Sequence, residues 1–217
     1  MLQVVVNTRR FVSPTMEVVP SSPNAERRSE SSRQAILAAT EKLCREKGYR
    51  RLTIEAIAAR AGVGKTTIYR WWPSKGAVVL ELLDQTAKLG AAPPDTGDLA
   101  ADLRTLLLEV IDIITPSETS PGVGLLAESL QDPDLGRDLR ERLIEPRIAT
   151  FKQRLRQAQD AGQLPVDADL DVALDLLYGP IYHRLALHLG MPDVDHLDSL
   201  IAHVLRSLNT VDPGQPV

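Results

Sequence analysis

Apolar residues recur along this chain at intervals of three and four, the period of helices packed through one face. Ile36, Leu37, Thr40, Leu43 and Cys44 form such a stripe between about Ser31 or Ser32 and Lys47, with Gly48 as its stop. Leu52 to Lys75 reads as two short helices and a tight turn, and Ser74 to about Leu89 as a fourth helix carrying Val78, Val79, Leu82 and Leu83. Beyond Pro93 and Pro94 the period resumes over 98–115, over 122–130, from Asp132 to Ala161, over 169–189 and over 195–208. Pro146 is expected to break or kink the helix it falls in, and Gly179-Pro180 to interrupt another. No stretch reads as a strand, so the fold class is all-α.

The stretch from Leu52 to Lys75 is the most informative. Thr53 is placed to cap the first helix, with Leu52 and Ile57 at the two positions of a hydrophobic staple. Ile54, Ile57, Ala58 and Ala61 define its buried face, and Gly62 ends it. The second helix is expected from Lys65 to Trp72, stopped by Pro73. Ile68 and Trp72 anchor one side of it. Thr66, Thr67 and Arg70 lie opposite, flanked by Tyr69 and Trp71. Hydroxyls, an arginine and aromatics on an outward face are groups that bond base edges and phosphates. Lys65 and Lys75 each sit in the first turn of a helix, where a cation is unfavourable until a phosphate arrives. The pattern is that of a helix-turn-helix with its recognition helix.

Charge placement agrees. The formal net charge is only −4, but residues 31–76 hold ten Lys/Arg against three Asp/Glu, a surplus of seven positive charges. Residues 91–217 hold ten against twenty-one, a surplus of eleven negative charges. A basic head on an acidic body suits contact with DNA at one end only.

These residues closely resemble the TetR family of transcriptional regulators, whose head carries T-x-x-x-I-A-x-x-A-G-V-x-x-x-T-x-Y-x-x-F-x-S-K. Thr53, Ile57, Ala58, Ala61, Gly62, Val63, Thr67, Tyr69, Ser74 and Lys75 match it, and Trp72 replaces the usual phenylalanine. The DNA-binding candidates are Thr53, Lys65, Thr66, Thr67, Tyr69, Arg70, Trp71 and Lys75. The resemblance implies a three-helix head followed by a C-terminal helical ligand-binding and dimerisation domain. It also implies a homodimer on double-stranded DNA with a palindromic operator, and a small-molecule effector. In domain terms, 1–30 is expected to be a disordered tail, 31–90 the head with its linking helix, 98–208 the effector-binding and dimerisation body, and 209–217 a frayed end.

In the body, Leu103, Leu107, Phe151, Tyr178, Tyr182 and His183 are the pocket candidates, suited to an apolar or amphipathic effector. The wide apolar arcs of the last two helices nominate Leu177, Ile181, Leu197, Leu200, Ile201 and Val204 for the dimer interface. An effector-independent structural DNA-binding protein of the same fold is the alternative. Arg27, Arg28 and Arg33 are either a solvated cluster or an arm reaching the minor groove. Met1 and Met16 are both candidate starts.

Other chemistries lack residues. His183 and His188 are off a common helical face, and His196 and His203 lack a nearby carboxylate pair, so neither a metal nor another cofactor is expected. There is no nucleophile elbow, HExxH or glycine-rich phosphate loop, so the chain is not expected to be an enzyme. Cys44 alone excludes an internal disulfide and suits a core position. No apolar run approaches the ~20 residues of a membrane span, and a cytoplasmic location is expected.

Overall fold

The computed structural model describes residues 23–87, 92–115 and 120–209. Among them the regular elements are all helical: α1 (Pro23–Lys47), α2 (Ile54–Ala61), α3 (Lys65–Tyr69), α4 (Lys75–Ala87), α5 (Leu99–Ile114), α6 (Pro121–Ser129), α7 (Pro133–Leu139), α8 (Glu145–Asp160), α9 (Leu170–Ala186) and α10 (Val194–Asn209). A 3₁₀ turn, Tyr49–Arg51, joins α1 to α2, and a π-helical turn, Arg140–Ile144, joins α7 to α8.

Side-chain caps fix many of the starts. The Thr53 hydroxyl accepts from Ala56 N at 3.1 Å. The carboxylates of Asp98, Asp132 and Asp169 cap α5, α7 and α9 in the same way, each satisfying orphan N–H groups. Gly62 closes α2 at φ 68°, a left-handed conformation that costs other residues strain.

Three helix boundaries depart from expectation. Helix α1 begins at Pro23, so 23–30 is helix rather than disordered tail. Once the packed part of α1 exists, adding turns needs no new nucleus. Glu30 supports the extension, accepting from Gln34 Nε2 at 2.8 Å and from Arg33 at 3.3 Å. Helix α3 is shorter than expected. The amides of both Trp71 and Trp72 bond to Ile68 O, drawing the chain into a turn, because Pro73 disfavours a helical Trp72. Helix α9 runs unbroken through Gly179-Pro180, contrary to the expected interruption. Pro180 withholds an N–H from the Leu176 carbonyl alone. Leu176 is exposed, and complete burial of Leu177 and Ile181 holds the two halves in line. The break expected at Pro146 takes the form of the π turn just before it. One extra residue per turn makes room for a ring that would collide with a carbonyl four residues back. The expected tail residues 1–22 and 210–217 lie outside the described residues.

Two hydrophobic cores result. The first contains Ile36 and Leu43 of α1, Ile57, Ile68, Trp72, Val78 and Val79, but also Leu125 of α6, Leu135 and Leu139 of α7, and Leu143. The second is built from α5, α8, α9 and α10 around Leu103, Leu107, Phe151, Leu155, Leu177 and Ile201. Helices α6 and α7 therefore pack on the head, although they follow α5 in the chain. Cys44 lies in the first core, where burial raises its thiol pKa to about 11. A second buried feature crosses the other core. Arg154 and Asp102 are each 1% exposed, and Arg154 Nε donates to Asp102 Oδ2 at 2.8 Å, tying α8 to α5.

Candidate functional site

The head presents one continuous polar and aromatic face. Ile68 and Trp72 are buried beneath it, and the indole N–H of Trp72 donates to Glu81 Oε2 at 2.8 Å. Glu81 also pairs with Arg33 of α1. Arg33 is therefore neither a solvated charge nor a free arm; it braces the end of the recognition turn. Arg27 is exposed, and the side chain of Arg28 is outside what the structure describes.

Above that support Thr66, Tyr69, Arg70 and Trp71 are exposed, Thr67 partly so. Tyr69 is 53% and Trp71 42% exposed, unusual for rings with no partner to cover them. Arg70 stacks over the Trp71 ring, its Cζ 5.7 Å from the centroid. Lys65 pairs with Glu55 at 3.1 Å, and both side chains are exposed, so the pair yields readily to a stronger anion. Thr53 is at the edge of this face with its hydroxyl committed to the cap.

Lys75 sits differently from the surface cation that its position suggests. It is half-buried at the junction of head and body. Its ammonium lies 4.5 Å from the Tyr49 ring centroid and 3.4 Å from Tyr49 O, and it pairs with Glu128 of α6 at 3.8 Å. The Tyr49 hydroxyl donates to the same carboxylate at 2.9 Å. Burial first, then this bond to Glu128, raise the Tyr49 pKa far above its ordinary value. The close fit needs two glycines. A Cβ on Gly124 would stand 2.3 Å from the Tyr49 ring, and one on Gly76 2.7 Å from Leu135.

The linking helix α4 continues from this junction into the body. Asp84 near its end is buried and accepts from Arg142 at 3.0 Å. The neighbouring Leu83 lines a small apolar cavity of about 70 Å³ together with Val110, Ile113, Leu125, Leu139, Arg147 and Tyr182. A larger cleft of about 430 Å³ lies alongside, lined by Val110, Ile144, Arg147, Ile148, Leu174, Asp175, Tyr178 and Tyr182 among others. Val110, Ile144, Arg147 and Tyr182 belong to both and so stand between them.

This arrangement revises the pocket candidates. Tyr178 and Tyr182 do line the cleft, stacked at 6.3 Å. Leu103, Leu107 and Phe151 do not line these cavities. They are at most 2% exposed and fill the second core. His183 is exposed, one helical step past the cleft. Arg147 is the residue that sequence reasoning missed; in the sequence it looks like any polar position of α8.

The interface candidates need a correction as well. Leu177, Ile181, Leu197, Ile201 and Val204 are all at most 5% exposed within one chain, so they have no surface left to offer a partner. Only Leu200 keeps part of its surface. On the last two helices and between them, exposed apolar surface lies on the other side of α9 and around its end. There Val172 is 49%, Leu176 43%, Leu187 58%, Leu189 50% and Val194 49% exposed. No helix among the described residues is long and apolar enough to cross a membrane, and no cluster of metal-ligating side chains occurs among them.

Comparison with known proteins agrees with this architecture. Residues 36–82 match the model of the bacterial regulatory proteins of the tetR family, and residues 93–204 match the tetracyclin repressor-like C-terminal domain. The HTH-type transcriptional regulator YdeS of Bacillus subtilis is 35% identical over 160 residues, 74% of this chain and 81% of its own. A DNA-binding transcriptional repressor TetR of Mycobacteroides abscessus is 30% identical over 190 residues, 86% of this chain and 97% of its own. The crystal structure of the TetR family transcription regulator SCO0332 superposes with a TM-score of 0.66 at 35% identity, covering 81% of this chain and 97% of that one. The capped helix pair, the aromatic face built on it and the two matching domains together make this chain a member of the TetR family of helix-turn-helix DNA-binding transcriptional regulators.

Proposed function

We propose that the chain is a dimeric repressor that leaves a palindromic operator when a small apolar or amphipathic effector enters the body. The observation that carries this reading is the course of α4. Its first turns are packed in the head core beside the recognition turn, and Leu83 near its other end forms part of a cavity wall. An occupant that shifts Leu83 shifts the helix on which the head is seated. Only an effector that binds the shifted state better can do this.

Thr66, Thr67, Tyr69, Arg70 and Trp71 would face the bases, with Lys65 at a phosphate. Lys75 would reach a second phosphate by loosening its hold on Glu128. Thr53 would add a contact only through its outer surface, since its oxygen serves the cap. The second subunit would cover Val172, Leu176, Leu187, Leu189 and Val194. Each such side chain is about half exposed, so covering it contributes roughly half of the about 1.5–3 kcal/mol of full burial, and the two-fold axis doubles the set.

Sedimentation tests the assembly. Wild type should run as a dimer at micromolar concentration. Leu176→Glu should run as a monomer that still melts cooperatively, because Leu176 is outside the core, and it should bind a two-half-site operator much more weakly. A wild-type monomer of 23.8 kDa under those conditions would refute the dimer.

A further inference from the structure

Arg147 is the unusual cation of the body. It is half-buried and separates the two cavities. The other body arginines of similar or deeper burial are satisfied. Arg104 bonds Asp198, Arg142 bonds Asp84, Arg154 bonds Asp102, and Arg184 donates to the carbonyls of Leu189 and Gly190. Among the described residues Arg147 has no hydrogen bond and no ion pair. The hydroxyls of Tyr178 and Tyr182, on the same wall, likewise find no hydrogen-bond partner there. Burial raises both phenol pKa values, and the nearby Arg147 charge pulls against that rise, so both stay protonated donors at neutral pH. The acid on the lining is Asp175, which is exposed at the cleft rim and makes no ion pair with Arg147.

The wall thus offers a guanidinium and two hydroxyls, and the carboxylate at its rim, Asp175, does not pair with Arg147. Its remaining surface is largely apolar. A half-buried guanidinium is stabilised most by a planar, bidentate acceptor. One positive charge matches one negative charge; a phosphate dianion would leave a charge uncompensated in an apolar cleft.

We infer that the effector is an apolar monocarboxylate. Its carboxylate would be held by Arg147 with the tyrosine hydroxyls beside it. Its hydrocarbon would lie against Val110, Ile144 and Leu174 and extend toward Leu83. The inference rests on the reading of these cavities as the effector site. A cleft of about 430 Å³ falls in the size range of small-molecule pockets.

Calorimetric titration of the full chain with octanoate, 1-octanol and octylamine tests it. Octanoate should bind at least about tenfold tighter than octanol, as expected when a charge-assisted pair replaces a neutral one. Octylamine should bind weakest. Arg147→Met keeps the apolar stem; it should lose that tenfold preference while octanol binding stays unchanged. Arg147→Lys should keep part of the preference and, together with thermal melting, guards against a folding defect. Octanol matching octanoate in wild type would overturn the carboxylate while leaving the cavity reading intact. So would an octanoate preference that survives Arg147→Met. Failure of all three compounds to bind, or binding unmoved by filling the cleft with Leu174→Trp, would overturn the cavity reading and the inference with it.

Discussion

Replacing Asp102 by alanine should cost the protein about 3–5 kcal/mol, the loss expected when one member of a buried ion pair is deleted. Asp102 and Arg154 are both 1% exposed, so neither charge has water to fall back on. With Asp102 gone, Arg154 keeps only Gln163 at 3.5 Å and the exposed Asp95 at 3.7 Å. Neither is close enough to replace the 2.8 Å bond that is lost. Against a typical stability of about 5–15 kcal/mol, this is about a fifth or more of the total. Removing both partners should be far milder. Asp102→Leu combined with Arg154→Met leaves no orphaned charge, and Thr96, which donates to Asp102, is exposed and can turn to water.

Urea unfolding of wild type, single and double variants measures both statements, and its pH dependence supplies a third. Burial pushes the Asp102 pKa up, but hydrogen bonds from Thr96 and Arg154 outweigh that and hold it below the usual carboxylate value. A carboxylate lowered in the folded state stabilises the protein fully above its unfolded pKa of about 3.9, and that contribution is lost as pH falls through the folded value. Wild type should therefore lose stability more steeply below about pH 4 than the double variant does. A single-variant cost below about 1 kcal/mol, or a double variant as unstable as the single, would mean that the pair is not the isolated buried charge inferred here.

Two further outcomes concern DNA. Arg70→Ala should relax base preference at one position of each half-site, worth about 1–3 kcal/mol of discrimination, as read by binding to selected and mismatched operators. Altered preference at no position would place Arg70 outside the groove. Lys75→Met should weaken binding to all sequences equally and lower the salt slope by about 0.9 per phosphate contact, hence about 1.8 for a dimer. An unchanged slope with a lower melting temperature would instead confine Lys75 to the junction with Tyr49 and Glu128.

Legibility in the sequence followed the distance between partners. The cap at Thr53, the stop at Gly62 and the outward set around Arg70 depend on neighbours within one or two turns, and local spacing reveals them. Tyr49 and Glu128 are 79 residues apart, and Asp102 and Arg154 are 52 apart, so no local pattern announces either contact. The interface candidates pose another difficulty. Helix α9 is apolar on two sides, and periodicity cannot say which side faces inward. Val172 and Leu176 form one i,i+4 stripe, and Leu177 and Ile181 another. The structure turns the second stripe inward. Arg147 was missed because an arginine in a helix is ordinary until its surroundings prove to leave it without a hydrogen bond or ion pair.

On the proposed reading, the sizes of the two cavities would connect ligand entry to the head. The inner cavity of about 70 Å³ is far smaller than the roughly 300–1,000 Å³ that a small-molecule ligand needs. A hydrocarbon tail that enters from the larger cleft must therefore displace a wall residue. Leu83 of α4, Leu125 of α6 and Leu139 of α7 form that wall, and all three helices pack in the head core. Close-packed interiors compress little, so the displacement has to travel as movement of whole helices. Helix α4 is pinned at its far end by Arg142 on Asp84 and at its start by Glu128 on Lys75. Glu128 is on α6, which lines the same cavity. Separation of α4 from α6 would stretch the contact of Lys75 with Glu128 while tilting the recognition turn seated on α4. Filling the inner cavity from within, by Leu125→Phe, should therefore weaken operator binding without any effector. Undiminished operator affinity in a variant that remains folded would show that the wall yields elsewhere and that α4 does not carry the signal.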